Sequence, residues 1–197
     1  MTSTNVYHGS CHCGDVKYQV RLTLPPTMDT DRNAKTVRIY KCNCSTCQKM
    51  GFFHCRPISL TEDFIVTSPA DIKDVGDYRC FRKVNGWYFC KKCGVRTFGV
   101  GGAWEQEELD VEKWAGRESD GKTQTVWKTK PIWYKGPDMK GNQEEREVHY
   151  VSVNAVTLET GEGGVDLRKW HEDGYLIYVD CRDFSEPSMT PHAQGMY

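Results

Sequence analysis

The sequence predicts a mainly β domain of antiparallel sheets with little helix, and three observations predict it. Val16, Tyr18, Val20 and Leu22 alternate with Asp15, Lys17, Gln19 and Arg21, the period of two that turns one strand face into a core. Short apolar runs recur between turn-forming residues, and only one short segment suits a helix. Cysteine groups stand at the ends of predicted strands, where a metal would tether sheets. At 197 residues, one domain spanning 1–197 is long enough to bury a core.

In chain order, residues 1–7 read as a frayed polar start. Gly9-Ser10-Cys11-His12-Cys13-Gly14 is a tight turn whose small residues let both sulfurs face one point. After the strand at 15–22, Pro25-Pro26 opens a polar loop to residue 34. A strand at 37–40 delivers the chain to Cys42-Asn43-Cys44-Ser45-Thr46-Cys47. Further strands are expected at 56–60, 64–67, 77–82, 86–89 and 96–100, the last two flanking Cys90-Lys91-Lys92-Cys93-Gly94. Residues 101–146 are dense in both charges and in turn formers, yet hold Trp104, Trp114, Trp127 and Trp133. Disordered segments are poor in aromatics, so this stretch is expected to be an ordered insertion, with a small core of its own or acting as a lid. Strand pattern resumes at 148–158, a short helix fits 165–172, and 175–179 is a final buried strand. Residues 185–197 read as a loose tail.

Bulk properties narrow the function classes. A formal net charge of −1 argues against a general polyanion-binding surface, so no nucleic-acid partner is expected. The first residues carry no basic segment followed by an apolar run, and no stretch approaches the roughly 18 apolar residues of a membrane span. The expected setting is cytoplasmic and reducing, where ten cysteines at these spacings favour metal over disulfides.

The thiols divide unevenly. Cys11 and Cys13 with Cys90 and Cys93 make one complete four-thiolate set, the closed form of a structural zinc site. Cys42, Cys44 and Cys47 offer three ligands and leave one position open, as catalytic zinc is usually held. A closed second site is the alternative, with a fourth ligand from His54, Cys55, Cys80 or His12. His54 is the candidate catalytic residue: a ligand, a proton shuttle beside the metal, or an ordinary hydrogen-bonded loop residue. Cys55, Cys80 and Cys181 have no partner at metal spacing and are expected to pack as small hydrophobes. Lys91, Lys92, Arg79 and Arg82 could meet a carboxylated ligand such as glutathione, or simply be solvated.

Gly9-Ser10-Cys11-His12-Cys13-Gly14-x-Val16-x-Tyr18, then Cys42-x-Cys44-x-x-Cys47-x-x-x-Gly51, then Phe89-Cys90-x-x-Cys93-Gly94, resembles the glutathione-dependent formaldehyde-activating enzyme family, which includes the centromere protein V domain. The likeness covers about residues 7–100, with a weaker continuation through 148–158 and 166–178. It implies a β-tent fold with two zinc ions, a structural one on Cys11, Cys13, Cys90 and Cys93 and an exchangeable or catalytic one on Cys42, Cys44 and Cys47. Where many relatives carry His after the first knuckle cysteine, this chain has Asn43. Soft thiolates suit an incoming sulfur, and the resemblance supplies the substrate class, implying a carbon–sulfur lyase that acts on a thiol or glutathione adduct. A zinc-stapled scaffold for a protein partner and a zinc-dependent hydrolase of a small metabolite are the other readings.

Overall fold

The computed structural model describes residues 1–27, 34–138 and 141–195; the rest of the expected loop and the last two tail residues lie outside them. Ser3–Ser10 (β1) is a strand, not a frayed start. It pairs antiparallel with Lys17–Leu24 (β2) over its whole length, from Ser3 opposite Leu24 to Ser10 opposite Lys17. Its polar side chains suit an edge position, half in water, which is why polarity alone disguised it. Gly9 lies opposite Tyr18, where a Cβ would meet the ring at 2.1 Å. Without one, Tyr18 folds over the backbone and its hydroxyl reaches Thr157 Oγ1 at 2.8 Å.

Arg38–Cys42 (β3) runs into a short helix, Ser45–Met50 (α1), and Phe53–Arg56 (β4) leaves it. The strand expected at 56–60 stops at Arg56 because Pro57 has no amide hydrogen to extend the ladder. Phe64–Ser68 (β5), Val75–Arg79 (β6), Asn85–Cys90 (β7) and Arg96–Gly101 (β8) fall near the expected stretches. Ala103–Leu109 (β9), the helix Val111–Trp114 (α2) and Gln124–Lys130 (β10) follow. Ile132–Pro137 (β11) and Gln143–Val148 (β12) pair as a two-stranded ribbon, and Tyr150–Asn154 (β13), Leu167–Glu172 (α3) and Leu176–Val179 (β14) complete the chain.

The mainly β class holds. One sheet has the order β1-β2-β5-β10-β9 and the other β14-β3-β4-β13-β8-β7-β6, and among the described residues neither closes into a barrel. All ladders are antiparallel except β14 on β3, which runs parallel with Val179 opposite Cys42. The main core lies between the sheets. Tyr18 and Phe64 from the first meet Phe98 from the second, ring centroids 5.3–5.8 Å apart.

Residues 101–146 form a small core only in part, around Trp114, and otherwise belong to the sheets. β9 and β10 are strands of the five-stranded sheet, and Trp104 and Trp127 pack on the main core. Trp114 joins Ile65, Val111 and Val126 in a satellite cluster, whereas Trp133 stands 66 % exposed on the β11–β12 ribbon. Part of the mixed charge pairs across β9 and β10: the buried Lys128 bridges to Glu107 at 3.1 Å, and Lys130 to Glu105 at 2.9 Å. The tail is irregular but pinned, since Ser188 and Tyr178 exchange two backbone bonds of 2.7 and 3.0 Å. No helix among the described residues is long and apolar enough to cross a membrane.

Candidate metal centres

The first centre joins two knuckles of the same local build. In one, the Cys11 amide donates to Val16 O; in the other, the Cys90 amide donates to Val95 O, both at 3.0 Å. The first knuckle closes the β1–β2 turn of one sheet and the second closes the β7–β8 turn of the other. The sulfurs of Cys11, Cys13, Cys90 and Cys93 all lie within 4.8 Å of one another. The Cys13 sulfur is 3.6 Å from both Cys11 and Cys90. Thiolates about 2.3 Å from a tetrahedral zinc stand about 3.8 Å apart, so this donor set fits the ion. The amide of Val95 helps draw the Cys93 thiol down to about 6. Against a bond from the Asp15 backbone, burial and the neighbouring sulfurs push Cys13 up to about 12. A divalent cation would relieve that competition by deprotonating all four.

The second centre is built on α1. Cys44 caps its N-terminus, the sulfur accepting from the Cys47 amide at 3.4 Å, and the Cys44 amide donates to Cys42 Sγ at 3.4 Å. Gly51 ends the helix in the left-handed region at φ 61°, which explains a glycine there. The three sulfurs lie within 4.8 Å of one another, close enough to hold a metal ion together. Hydrogen bonds from Cys42 and Cys47 favour the Cys44 thiolate and draw its thiol below the ordinary value. Phe52 and Trp87, edge to face at 5.0 Å, wall this cluster off from the main core.

His54 stands beside the triplet rather than within the group of mutually close ligand atoms. It is not a loop residue: it sits in β4, 2 % exposed, stacked on Tyr40 at 4.3 Å. Its Nε2 is 3.2 Å from Cys47 Sγ, and its Nδ1 is 3.0 Å from both Ser152 Oγ and Tyr150 Oη. Burial pushes the imidazole down to about 3, so it is neutral at neutral pH. The Tyr150 hydroxyl continues the chain to Tyr40 at 3.1 Å. His12 is exposed on the other knuckle, and Cys55 is buried in the main core as expected. Cys80 packs at the rim, 3.5 Å from Thr46 Oγ1.

Cys42, Cys47 and His54 open onto a cavity of about 460 Å³, a usual size for a small-molecule site. Two arginines that no motif singles out, Arg38 and Arg56, also line it. The Arg56 guanidinium lies 4.8 Å over the Tyr150 ring, and its buried Nε has no hydrogen-bond partner among the described residues. The basic residues weighed from sequence sit elsewhere in ordinary ion pairs or backbone bonds: Lys92 with Asp15, Arg79 with Asp77, Arg82 with Glu144, and Lys91 on Lys73 O. Cys181 departs most from expectation. It is exposed, not packed in a core, and it lines the same cavity as Cys42 and Cys47.

No protein-family model matches the sequence, and no curated protein matches it. Among solved structures the chain is similar to the crystal structure of a Rhodobacter sphaeroides protein, a Northeast Structural Genomics target, at 20 % identity and a TM-score of 0.34, over 62 % of this chain and 83 % of that one.

Proposed function

We propose that this chain is a two-zinc enzyme of the glutathione-dependent formaldehyde-activating type, making or cleaving the carbon–sulfur bond of a small thiol adduct. One observation carries the reading: the three-sulfur centre contributes Cys42 and Cys47 to the wall of a cavity that also holds an unpartnered buried arginine nitrogen. When bound, zinc supplies a soft acceptor for a substrate thiolate. Arg56 and Arg38 suit the carboxylates of a ligand such as glutathione. His54 handles the proton: being neutral, it takes one at one nitrogen while releasing one at the other, along the Cys47–His54–Tyr150–Tyr40 line. The four-sulfur centre is structural, and a reducing cytoplasm keeps both sets of thiols as ligands.

A protein-interaction scaffold is the second reading, favoured by Trp133, presented to solvent on the β11–β12 ribbon. The deciding experiment is native mass spectrometry for metal content, joined to NMR exchange spectroscopy of formaldehyde with its glutathione adduct. The enzyme predicts two zincs per chain and exchange faster than without protein. Two zincs with no acceleration would remove the enzyme reading and leave the scaffold.

A further inference from the structure

The segment that follows β14 is bound to the Cys42–Cys47 knuckle more tightly than a loop at the end of a strand requires. The Asn43 amide donates to Val179 O at 3.2 Å, continuing the parallel β3–β14 ladder past Cys42. Both ends of the Asn43 side chain are used, Nδ2 donating to Asp180 Oδ1 at 2.7 Å and Oδ1 accepting from the Cys181 amide at 2.8 Å. Arg182 adds two more, from Nε to Asn43 O at 2.7 Å and from its terminal nitrogen to Gln48 Oε1 at 2.5 Å. Asn43 sits between two cysteines of the triplet, so these bonds fix residues 180–182 against the sulfurs themselves. The result is a fourth thiol, Cys181, lining the same cavity as Cys42 and Cys47.

That fourth sulfur differs from the other three in its exposure. Cys42 and Cys47 are buried and Cys44 is half-buried, with Cys42 and Cys44 accepting from backbone amides and Cys47 beside His54; Cys181 is exposed and outside the mutually close set. Neighbouring cations offset the added negative charge of a fourth thiolate: Arg182 on the knuckle backbone, and Arg38 and Arg56 in the cavity wall.

We infer that Cys181 is the displaceable fourth ligand of the second centre, closing the site when the cavity is empty and giving up its place to an incoming thiol. This rests on the reading that Cys42, Cys44 and Cys47 hold a metal. In the exchange Cys181 gives up its coordination bond as the substrate sulfur gains one, and takes the proton that the substrate thiol loses. Charge, protons and ligand count are unchanged, and no oxidant is needed. Asn43 and Arg182 are positioning residues, holding the loop close enough for Cys181 to return.

The test uses the full chain loaded with cobalt(II), as wild type, Cys181→Ser and Cys181→Ala. Sulfur-to-cobalt charge transfer counts thiolate ligands, and chelator competition reports affinity at each centre. Wild type should bind two cobalt ions per chain. Both variants should lose the intensity of one thiolate and weaken one centre by about 10- to 100-fold, leaving the other unchanged. Adding 2-mercaptoethanol should restore the lost intensity in the variants and leave wild type unchanged, one sulfur replacing another. Two cobalt ions with unchanged intensity and affinity in both variants would overturn the ligand role of Cys181 alone. A single cobalt per wild-type chain would overturn the metal reading of the triplet and this inference with it. A lost thiolate with no glutathione-dependent catalysis would leave Cys181 as ligand and remove only the enzyme.

Discussion

Replacing Cys90 by alanine is expected to abolish cooperative folding. Cys90 is buried, and its sulfur meets Cys13 at 3.6 Å across 77 residues of chain, joining a turn of one sheet to a turn of the other. A structural zinc on such a set contributes on the order of 10 kcal/mol, and the whole stability of a domain is about 5–15 kcal/mol. Part of that effect has the character of a cross-link, since closing a loop of this length is worth about 4–5 kcal/mol in the unfolded chain. Thermal melting followed by circular dichroism, together with zinc content, measures it. A Cys90→Ala protein that melts like wild type and still holds two zincs would show that the four sulfurs are not a metal site. Chelation of wild type should act in the same direction, with the sheets separating as the first ion leaves.

Cys44→Ala should behave oppositely, losing function while keeping the fold. Cys44 caps a six-residue helix and bonds one amide, a contribution of about 1 kcal/mol. The variant should melt close to wild type, hold one zinc fewer, and accelerate the glutathione–formaldehyde exchange no more than free solution does. The pair of variants separates the two centres by consequence: one removes the protein, the other removes the chemistry. If Cys44→Ala retained full exchange activity with a single zinc, catalysis at this triplet would be excluded.

What could be read in advance was local. A knuckle is a turn of a few residues whose sulfurs converge because of backbone geometry, so spacing alone announced Cys11, Cys13, Cys90, Cys93 and the triplet. The alternation in β2 announced its buried face for the same reason. Relations between distant segments left no such mark. β1 is polar because it is an edge, and only its pairing with β2 makes it a strand. His54 carried a weak signal, seven residues past Cys47, but its burial comes from Tyr40, Phe52, Tyr150 and Ser152 on other elements. Cys181 lies 138 residues from the Asn43 that positions it, a separation no spacing rule covers. A chemical signal did exist: a cysteine just after the final apolar strand sits at a strand end, as Cys11, Cys42 and Cys90 do.

The parallel seating of β14 on β3 also has a consequence in time. All four sulfurs of the first centre lie within the first 93 residues, so a growing chain can assemble that centre while its second half is still being made. The second centre borrows Ser152 and Tyr150 from β13, and its edge is completed only by β14 and the residues after it. Although Cys42, Cys44 and Cys47 are made before Cys90, their surroundings are not, so the expected order of metal capture is the four-sulfur centre first and the Cys42–Cys47 centre last. Nascent chains stalled with only residues 1–110 outside the ribosome should already retain one zinc ion, and those released after residue 182 should retain two. Retention of two by the shorter chain would rule that order out. A cell short of zinc would then accumulate folded chains with an empty reactive site before it accumulated unfolded ones.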